Sequence, residues 1–212
     1  MKKTILTAFV LIIFSSGVAN ARPPKGFHEG PYLLFSGGML TYTADDNVRT
    51  KTSTGNDIEP TFGFNFGWNL KDYVGAELQA RYSTNRNAGV REHIATANIS
   101  AVFTLVTPQL TNFKKPVYVL PFVQAGPAVQ FAAVPADPAA GGGTLLHWGI
   151  GPSIGGGVRV LFARYFYVGV LAQVDFLYLN EKKQDIGGVQ TVILNEGWDG
   201  QIGISGLAGC HF

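Results

Sequence analysis

The last segment of the chain carries the three residue types of a nucleophilic hydrolase, Asp199, Ser205 and His211. Apolar and polar residues alternate around them, which predicts a β-strand with all three side chains on one face. Six residues of strand span about 20 Å, whereas a nucleophile and its base must lie within about 3 Å of each other. The spacing therefore excludes a catalytic triad, and we expect no catalytic residues in this segment.

The other chemically versatile residues are scattered along the chain. His28, His93 and His147 lack the spacing of a metal site, so we expect ordinary interfacial or lumenal roles for them. The glycine run 141–143 is followed by no Lys-Ser/Thr pair and is therefore not a phosphate loop. The single Cys210 cannot form a disulfide within the chain, and we expect it to pack as a small hydrophobic residue. These patterns predict no cofactor, no metal and no enzymatic activity.

The composition is apolar overall without any long apolar run. Charged residues make up 14% of the 212 residues and hydrophobic ones 46%, whereas a soluble domain is about 25% charged. Disorder is excluded by this hydrophobic content. A helical membrane bundle is disfavoured, because no run reaches the roughly 18 apolar residues of a spanning helix.

The N-terminus has the layout of a secretory signal peptide. Lys2 and Lys3 precede the apolar run 4–14, and Ala19 and Ala21 form a small-x-small cleavage pattern. We therefore predict a signal peptide at residues 1–21 and a mature domain at residues 22–212. The absence of a cysteine just after the apolar run predicts no lipid anchor. Without Lys2 and Lys3, the 16 basic residues become 14 and balance the 14 acidic ones, so we expect no nucleic-acid partner.

Period-two alternation recurs along the mature chain and predicts β-strands. In residues 61–70, aromatic and aliphatic side chains occupy one face, and Thr, Gly and Asn occupy the other. Pro121, Pro127 and Pro152 lie inside less regular segments, where they predict bulges or local breaks. Eight strands are predicted, at about residues 30–43, 61–70, 74–83, 92–105, 116–131, 146–162, 166–178 and 197–212.

The connections between these strands alternate in length. Longer loops at about residues 44–60, 84–90, 132–144 and 180–196 fall at one end of the strands. Shorter turns fall at the other end, together with both termini, since the strand number is even. This layout is typical of transmembrane barrels, which have long extracellular loops and short periplasmic turns.

Aromatic residues distinguish a membrane barrel from a soluble β-sandwich, the alternative that alternation leaves open. A barrel in lipid must close and present its apolar face outward. Two girdles of outward aromatic residues are predicted about one membrane crossing apart. The girdle at the short-turn end comprises Tyr32, Trp68, Phe103, Phe162, Phe166 and Phe212, and the girdle at the loop end comprises Tyr42, Phe62, Tyr82, Phe131, Trp148, Phe176 and Trp198.

The signal peptide, the eight alternating segments and the closing stretch 203–212 resemble the small eight-stranded outer-membrane β-barrels of Gram-negative bacteria. The similarity is to the membrane domain of outer membrane protein A and to outer membrane protein W. It implies an all-β, eight-stranded antiparallel up-and-down transmembrane β-barrel with both termini in the periplasm. It also implies contact with outer-membrane lipids and lipopolysaccharide. The terminal Phe212 resembles the signal read by the outer-membrane assembly machinery.

Four charged residues are predicted to point into the lumen, namely Glu77, Arg81, Arg159 and Asp175. An eight-stranded barrel has an interior that side chains fill, and isolated buried charges are costly. We therefore predict that Arg81 pairs with Asp175 and that Glu77 pairs with Arg159, forming a structural plug. A gated ion path is the alternative.

The long loops are candidate binding surfaces for an extracellular ligand. The first mixes charges of both signs, and Arg86 and Arg91 lie near the second, where they face either lipopolysaccharide phosphates or solvent. In the fourth, the apolar stretch 189–194 predicts either a strand extension or an interaction edge. The sequence thus favours a structural or adhesive role. Passive transport of small or apolar solutes through a narrow or laterally opening barrel is the alternative. A lipid-A-modifying enzyme comes last, because Ser205 and His211 are predicted to face inward rather than towards lipid.

Overall fold

The computed structural model describes residues 28–43, 58–87, 90–106, 117–135, 144–163, 165–186 and 189–212. The predicted signal peptide and most of the first and third long loops lie outside these ranges. Within them, no helix is long and apolar enough to cross a membrane. The strands are β1 (Gly30–Tyr42), β2 (Ile58–Lys71), β3 (Val74–Asn87), β4 (Val90–Thr104), β5 (Val117–Pro135), β6 (Thr144–Phe162), β7 (Phe166–Leu179), β8 (Lys182–Ile186), β9 (Val189–Leu194) and β10 (Gly197–His211).

Eight of these strands close into a barrel in the order β1-β10-β7-β6-β5-β4-β3-β2. Every neighbouring pair is antiparallel, and the seam between the first and last strands runs from Tyr32 opposite His211 to Tyr42 opposite Gln201. Closure pairs the backbone groups that an open sheet would leave at its edges. The predicted eight-stranded antiparallel barrel is confirmed.

The connections differ from the prediction at two loops. The second loop is shorter than the predicted span 84–90, because β3 and β4 stay paired up to Asn87 opposite Val90. The fourth loop contains its own two-stranded sheet, in which β8 pairs with β9. The stretch 189–194 is therefore a strand of a separate hairpin, and its interpretation as a simple extension of a barrel strand is wrong.

The prolines interrupt strand pairing locally without shifting the register. Between β4 and β5 the paired residues skip from Asn98–Ala128 to Ala101–Ala125, next to Pro127. Between β6 and β7 they skip from Ile150–Tyr178 to Ser153–Asp175, next to Pro152. Proline lacks the N–H that a ladder requires, which accounts for both gaps. The predicted local breaks occur at these two prolines.

The outer surface of the barrel is apolar. Its exposed residues include eleven of the thirteen predicted girdle aromatics: Trp68, Phe103, Phe162, Phe166 and Phe212 at the short-turn end, and Phe62, Tyr82, Phe131, Trp148, Phe176 and Trp198 at the loop end. The amides and charges that alternate with such residues are buried in the interior. This arrangement inverts the usual polarity of a soluble protein and is that of a transmembrane barrel.

Two predicted girdle residues lie inside the barrel instead. Tyr32 is 0% exposed and Tyr42 5% exposed, and both belong to the inward face of β1. The prediction failed because apolar residues occupy both faces at the start of β1, where Leu33 and Phe35 alternate with Tyr32 and Leu34. Alternation alone therefore assigns no inward face to this strand.

The interior is polar over only part of its length. Towards the short-turn end it contains a cluster of buried hydrophobic residues, which packs like the core of a soluble protein. The cluster comprises Tyr32, Leu34, Val102, Tyr118, Leu120, Phe122, Leu161, Tyr167, Leu171 and Leu207. Above this cluster the inner face is mainly polar, but two smaller apolar clusters lie towards the loop end, one of Leu40, Tyr42, Ile94 and Ala132 and one of Ala128, Leu177 and Leu179. The expectation of a polar inner face therefore holds only in part.

We predict that Ile99→Arg, at mid-depth on the exposed outer face of β4, lowers the free energy of unfolding by about 2–4 kcal/mol, because the cation replaces a lipid contact. Tyr165→Arg, at the exposed turn between β6 and β7, serves as the control and lowers it by about 0–1 kcal/mol. Urea titration of the barrel in lipid vesicles measures both values. Equal, small effects at the two positions would contradict the membrane-spanning fold.

Candidate functional site in the barrel lumen

The centre of the lumen contains a buried carboxylate, Glu77, held by donors from three other strands. The Arg159 Nη2 group donates to Glu77 Oε2 at 2.7 Å, and the Tyr32 hydroxyl donates to the same oxygen at 2.6 Å. The Asn65 amide donates to Oε1 at 2.7 Å. A cation and two neutral donors thus satisfy both oxygens of a carboxylate that is removed from solvent.

Arg159 is held on both its polar edge and its flat faces. Its Nη1 donates to the Tyr32 hydroxyl at 3.1 Å, and its guanidinium carbon lies 4.0 Å from the Phe122 ring centroid and 5.1 Å from that of Tyr32. Cation–π contacts of this kind stabilise a desolvated guanidinium. They place the charge at the upper boundary of the apolar interior cluster, to which both rings belong.

The Tyr32 ring requires a glycine on the neighbouring strand. Gly67 of β2 lies opposite Tyr32 in the β1–β2 register. A Cβ atom at position 67 would collide with the phenol ring and its hydroxyl. Gly67 therefore provides the space in which Tyr32 reaches Glu77.

A second ion pair lies nearer the loop end. Arg81 donates through Nη2 to Asp175 Oδ2, and Asp175 Oδ1 accepts from Gln173 Nε2 at 2.9 Å. The same Gln173 nitrogen donates to Ser153 Oγ at 2.8 Å, and further amides continue the network around the wall. Asn98 donates to both Gln79 and Ser153, and Gln124 donates to Gln173. Gln201 donates to Gln130 further along the wall.

The structure thus brings together the same charge partners that the sequence pairs, Glu77 with Arg159 and Arg81 with Asp175. Sequence reasoning did not identify the contributions of Tyr32, Asn65 and Phe122. The polar face of residues 61–69 contained a signal for Asn65, because alternation places its side chain in the lumen. No pattern indicated Tyr32, which was assigned to the opposite face.

A third group closes the short-turn end. The His28 backbone N–H donates to Asp72 Oδ1 at 3.0 Å, and its ring Nδ1 lies 3.2 Å from the Asp72 carbonyl oxygen. The Asn69 amide nitrogen lies 3.2 Å from His28 Nε2. The His28 ring also stacks on His211, with centroids 5.9 Å apart.

These contacts define the protonation state of His28. An Asn69 N–H that donates to Nε2 leaves the ring proton on Nδ1, where it donates to the Asp72 carbonyl. Burial lowers the pKa of His28 to about 4, and the charges of His211 and Arg159 act in the same direction, whereas the hydrogen bond to Asp72 opposes them. The ring is therefore neutral near pH 7.

The remaining candidate residues form no catalytic arrangement among the described parts of the chain. Asp199, Ser205 and His211 are all buried on the inward face of β10, six residues apart in sequence. In the same ranges, no group of three or more His, Cys, Asp or Glu residues is placed to hold a metal ion. Phe212 is exposed, and its backbone N–H donates to the Pro31 carbonyl at 3.0 Å.

Solved structures with a similar fold are small outer-membrane barrels. Neisserial surface protein A matches with a TM-score of 0.56 and 15% identity, over 90% of this chain and 100% of that one. The attachment invasion locus protein Ail of Yersinia pestis gives a TM-score of 0.47 and 10% identity, over 87% and 99% of the two chains. The outer membrane protein OprG of Pseudomonas aeruginosa gives a TM-score of 0.48 and 10% identity, over 86% of this chain and 97% of that one. No family model and no curated protein sequence matches the chain.

At this low identity the first likeness bears on the fold alone. The chain has the fold of the small eight-stranded outer-membrane β-barrels.

We predict that Arg159→Met lowers the free energy of unfolding by about 3–5 kcal/mol, because Glu77 is left buried without its cation. The double variant Glu77→Gln/Arg159→Met restores most of the loss. Lys71→Met, which breaks the exposed pair with Glu29 at 3.9 Å, is the matched control and costs less than about 1 kcal/mol. Urea unfolding followed by tryptophan fluorescence measures all three. Equal effects of Arg159→Met and Lys71→Met would refute a specific role for the buried pair.

We predict that barrel stability depends on His28 between pH 6.5 and about 4. The unfolded ring binds its proton near pH 6.5, whereas the folded ring binds it only near 4, so the unfolded state holds more protons in this window. The neutral His28 ring makes its full contribution to the free energy of unfolding above pH 6.5. This contribution, about 3 kcal/mol in total, is lost as the pH falls to about 4. The measurement compares free energies of unfolding of the wild type and His28→Gln across this range. Parallel pH curves for the two proteins would show that His28 is not responsible.

Proposed function

We propose that this chain is an outer-membrane protein of a Gram-negative cell whose barrel is a closed anchor and whose loop end presents a binding surface. The proposal places both termini in the periplasm, where the predicted signal peptide and the short turns put them. The proposed partners are outer-membrane lipids and lipopolysaccharide around the wall, and an extracellular ligand at the loops. Phe212, on the exposed face at the seam, is the proposed recognition residue for the outer-membrane assembly machinery.

The observation that carries this proposal is the packed interior. The apolar cluster fills the lumen towards the short-turn end, and the Glu77–Arg159 pair lies directly above it. The amide network and the Arg81–Asp175 pair lie above the Glu77–Arg159 pair, nearer the loop end of the lumen. A wide aqueous channel requires a polar, unfilled lumen, so this packing supports an anchor and opposes axial transport of solutes.

The wall of the barrel continues past the loop-end girdle and exposes strand edges there. β5 and β6 each have 19 residues, whereas about 9–11 tilted residues cross the hydrocarbon layer. Phe131 and Trp148 pair at the girdle, and the ladder goes on to Pro135 opposite Thr144. Paired strands that project from a rigid wall offer backbone edges to which another chain can bind.

The hairpin of β8 and β9 is a second projection at this end. It follows β7 and precedes β10, and within the described residues its strands pair only with each other. Each strand thus retains an edge outside the barrel ladder. We assign to this hairpin, together with the β5–β6 projection, the adhesive surface of the proposed function.

We predict that adhesion depends on the pairing of β8 with β9. Bacteria displaying the chain are expected to adhere to an epithelial monolayer more than empty-vector cells. Thr191→Pro removes a backbone N–H opposite Gln184 and introduces a ring that strands disfavour, so adherence is expected to fall to the empty-vector level. Thr191→Ser, the matched control, retains it.

Heat-modifiable migration on a gel verifies that each variant is a folded barrel. Wild-type adherence no greater than that of empty-vector cells would refute the adhesive role, as would full adherence of folded Thr191→Pro. Stepwise conductance of the wild type in planar bilayers would instead support transport. Altered lipid-A acylation on deletion would support an enzyme.

A further inference from the structure

The outer wall of the barrel has a groove at its closing seam. The groove has a volume of about 380 Å³ and is lined by Gly38, Met39, Leu40 and Thr41 of β1, Ile58 of β2, and Ile202 and Ile204 of β10. It therefore spans the first two strands and the last one, in the half of the barrel nearer the loops.

The strand register explains the shape of the groove. Met39 lies opposite Ile204 on β10 and Pro60 on β2, and Thr41 lies between Ile202 and Ile58 in the same way. The groove therefore follows β1, here called its floor, between apolar residues of β2 and β10, here called its walls. Three of these wall residues are isoleucines, whose branched side chains stand stiffly from the sheet.

Two glycines extend the groove towards mid-depth. Gly37 of β1 lies opposite Gly206 of β10, and both are on the exposed face. A Cβ atom at Gly206 would have no neighbour closer than the Gly37 carbonyl oxygen at 3.7 Å, and one at Gly37 none closer than Phe62 Cδ1 at 3.9 Å. We call the whole depression the seam furrow, comprising Gly37, Met39, Thr41, Ile58, Ile202, Ile204 and Gly206.

We propose that the seam furrow binds one acyl chain of a membrane lipid. The furrow is continuous with the exposed apolar belt, since Met39 and Ile204 are 64% and 65% exposed. In a membrane the apolar belt is surrounded by the hydrocarbon chains of lipids. The same acyl chains therefore lie next to the furrow, whose lining is also apolar. This proposal rests on the membrane placement in the proposed function.

The shape of the furrow favours a single extended chain over the general lipid layer. A chain in the furrow contacts a floor and two walls, whereas a chain on the convex wall elsewhere contacts one surface. Dispersion energy grows with the number of such atom contacts, so the bound chain exchanges more slowly.

The test counts slowly exchanging lipids by electron paramagnetic resonance. The wild-type chain and its variants are reconstituted in phosphatidylcholine vesicles that contain phosphatidylethanolamine with a nitroxide on its acyl chain. The first shell of lipids around any barrel is also immobilised, so the site is counted as a difference between proteins: we expect one more immobilised lipid per wild-type barrel than per Gly206→Leu barrel. Gly206→Leu places a side chain in the furrow at a position where its Cβ meets no atom closer than 3.7 Å, and it is expected to remove that additional lipid.

Ala125→Leu is the matched control. Ala125 is exposed at mid-depth on β5, which lies four strands from β1 in either direction around the barrel. The control places the same leucine side chain on the opposite wall and is expected to retain the additional immobilised lipid. Its loss in both variants, or its persistence in Gly206→Leu, would overturn the proposal, as would its absence in the wild type. Dimers that only Gly206→Leu disrupts would identify a second copy as the occupant.

Failure of the proposal remains distinguishable from failure of the membrane placement. Heat-modifiable migration and co-flotation with vesicles report whether each variant inserts. Wild-type barrels that insert but immobilise no more lipid than Gly206→Leu barrels would refute the furrow site alone. A wild-type chain that never inserts would refute both.

Discussion

Every backbone N–H and C=O that enters the hydrocarbon layer must find a partner within the protein, and the rest of this structure depends on that constraint. Helices meet it locally, whereas a sheet meets it only by closing, as β1 does on β10. Closure at eight strands then sets an interior just wide enough for side chains. Each strand presents apolar residues to the lipid on its outer face, and the residues of its inner face, polar or apolar, fill the interior.

The barrel interior is filled in two ways, by polar side chains on one part of the wall and by apolar side chains on another. On β2 and β3 the buried inward side chains are polar, as are most of those on β4, so buried charges and amides must satisfy one another. On β5, β6 and β7 several inward residues near the short turns are apolar, and they pack as an ordinary core. Arg159 lies where the two meet, with aromatic rings against its guanidinium and Glu77 at its edge. Both arrangements fill the interior with side chains, which is the observation behind the proposal of a function at the loops.

The sequence predicts this architecture well because alternation is a strong signal where one face is uniformly polar. The strand at residues 61–70 and the four lumenal charges are of this kind, and partners such as Arg81 and Asp175 meet because an eight-stranded lumen is narrow. Alternation fails where both faces are apolar, as around Tyr32. It also gives no register between strands, so the space that Gly67 leaves for Tyr32 becomes visible only when β1 and β2 are aligned. The sequence does not predict the separate β8–β9 hairpin for a related reason. A short apolar run is compatible with either an extension of a barrel strand or a new strand.

The seam between β1 and β10 also has a kinetic consequence. Its partners lie at opposite ends of the barrel sequence, with Tyr32 opposite His211, so loop closure of nearly the whole barrel chain precedes its formation. Until β10 is in place, both β1 and β7 are unpaired edges that lipid cannot satisfy. Insertion and closure are consequently expected to be one cooperative late event, in the slow regime of folds dominated by distant contacts. A partly folded barrel is thus expected to be unstable in the bilayer, and the pairing of β10 with β1 and β7 is expected to be the step that completes folding.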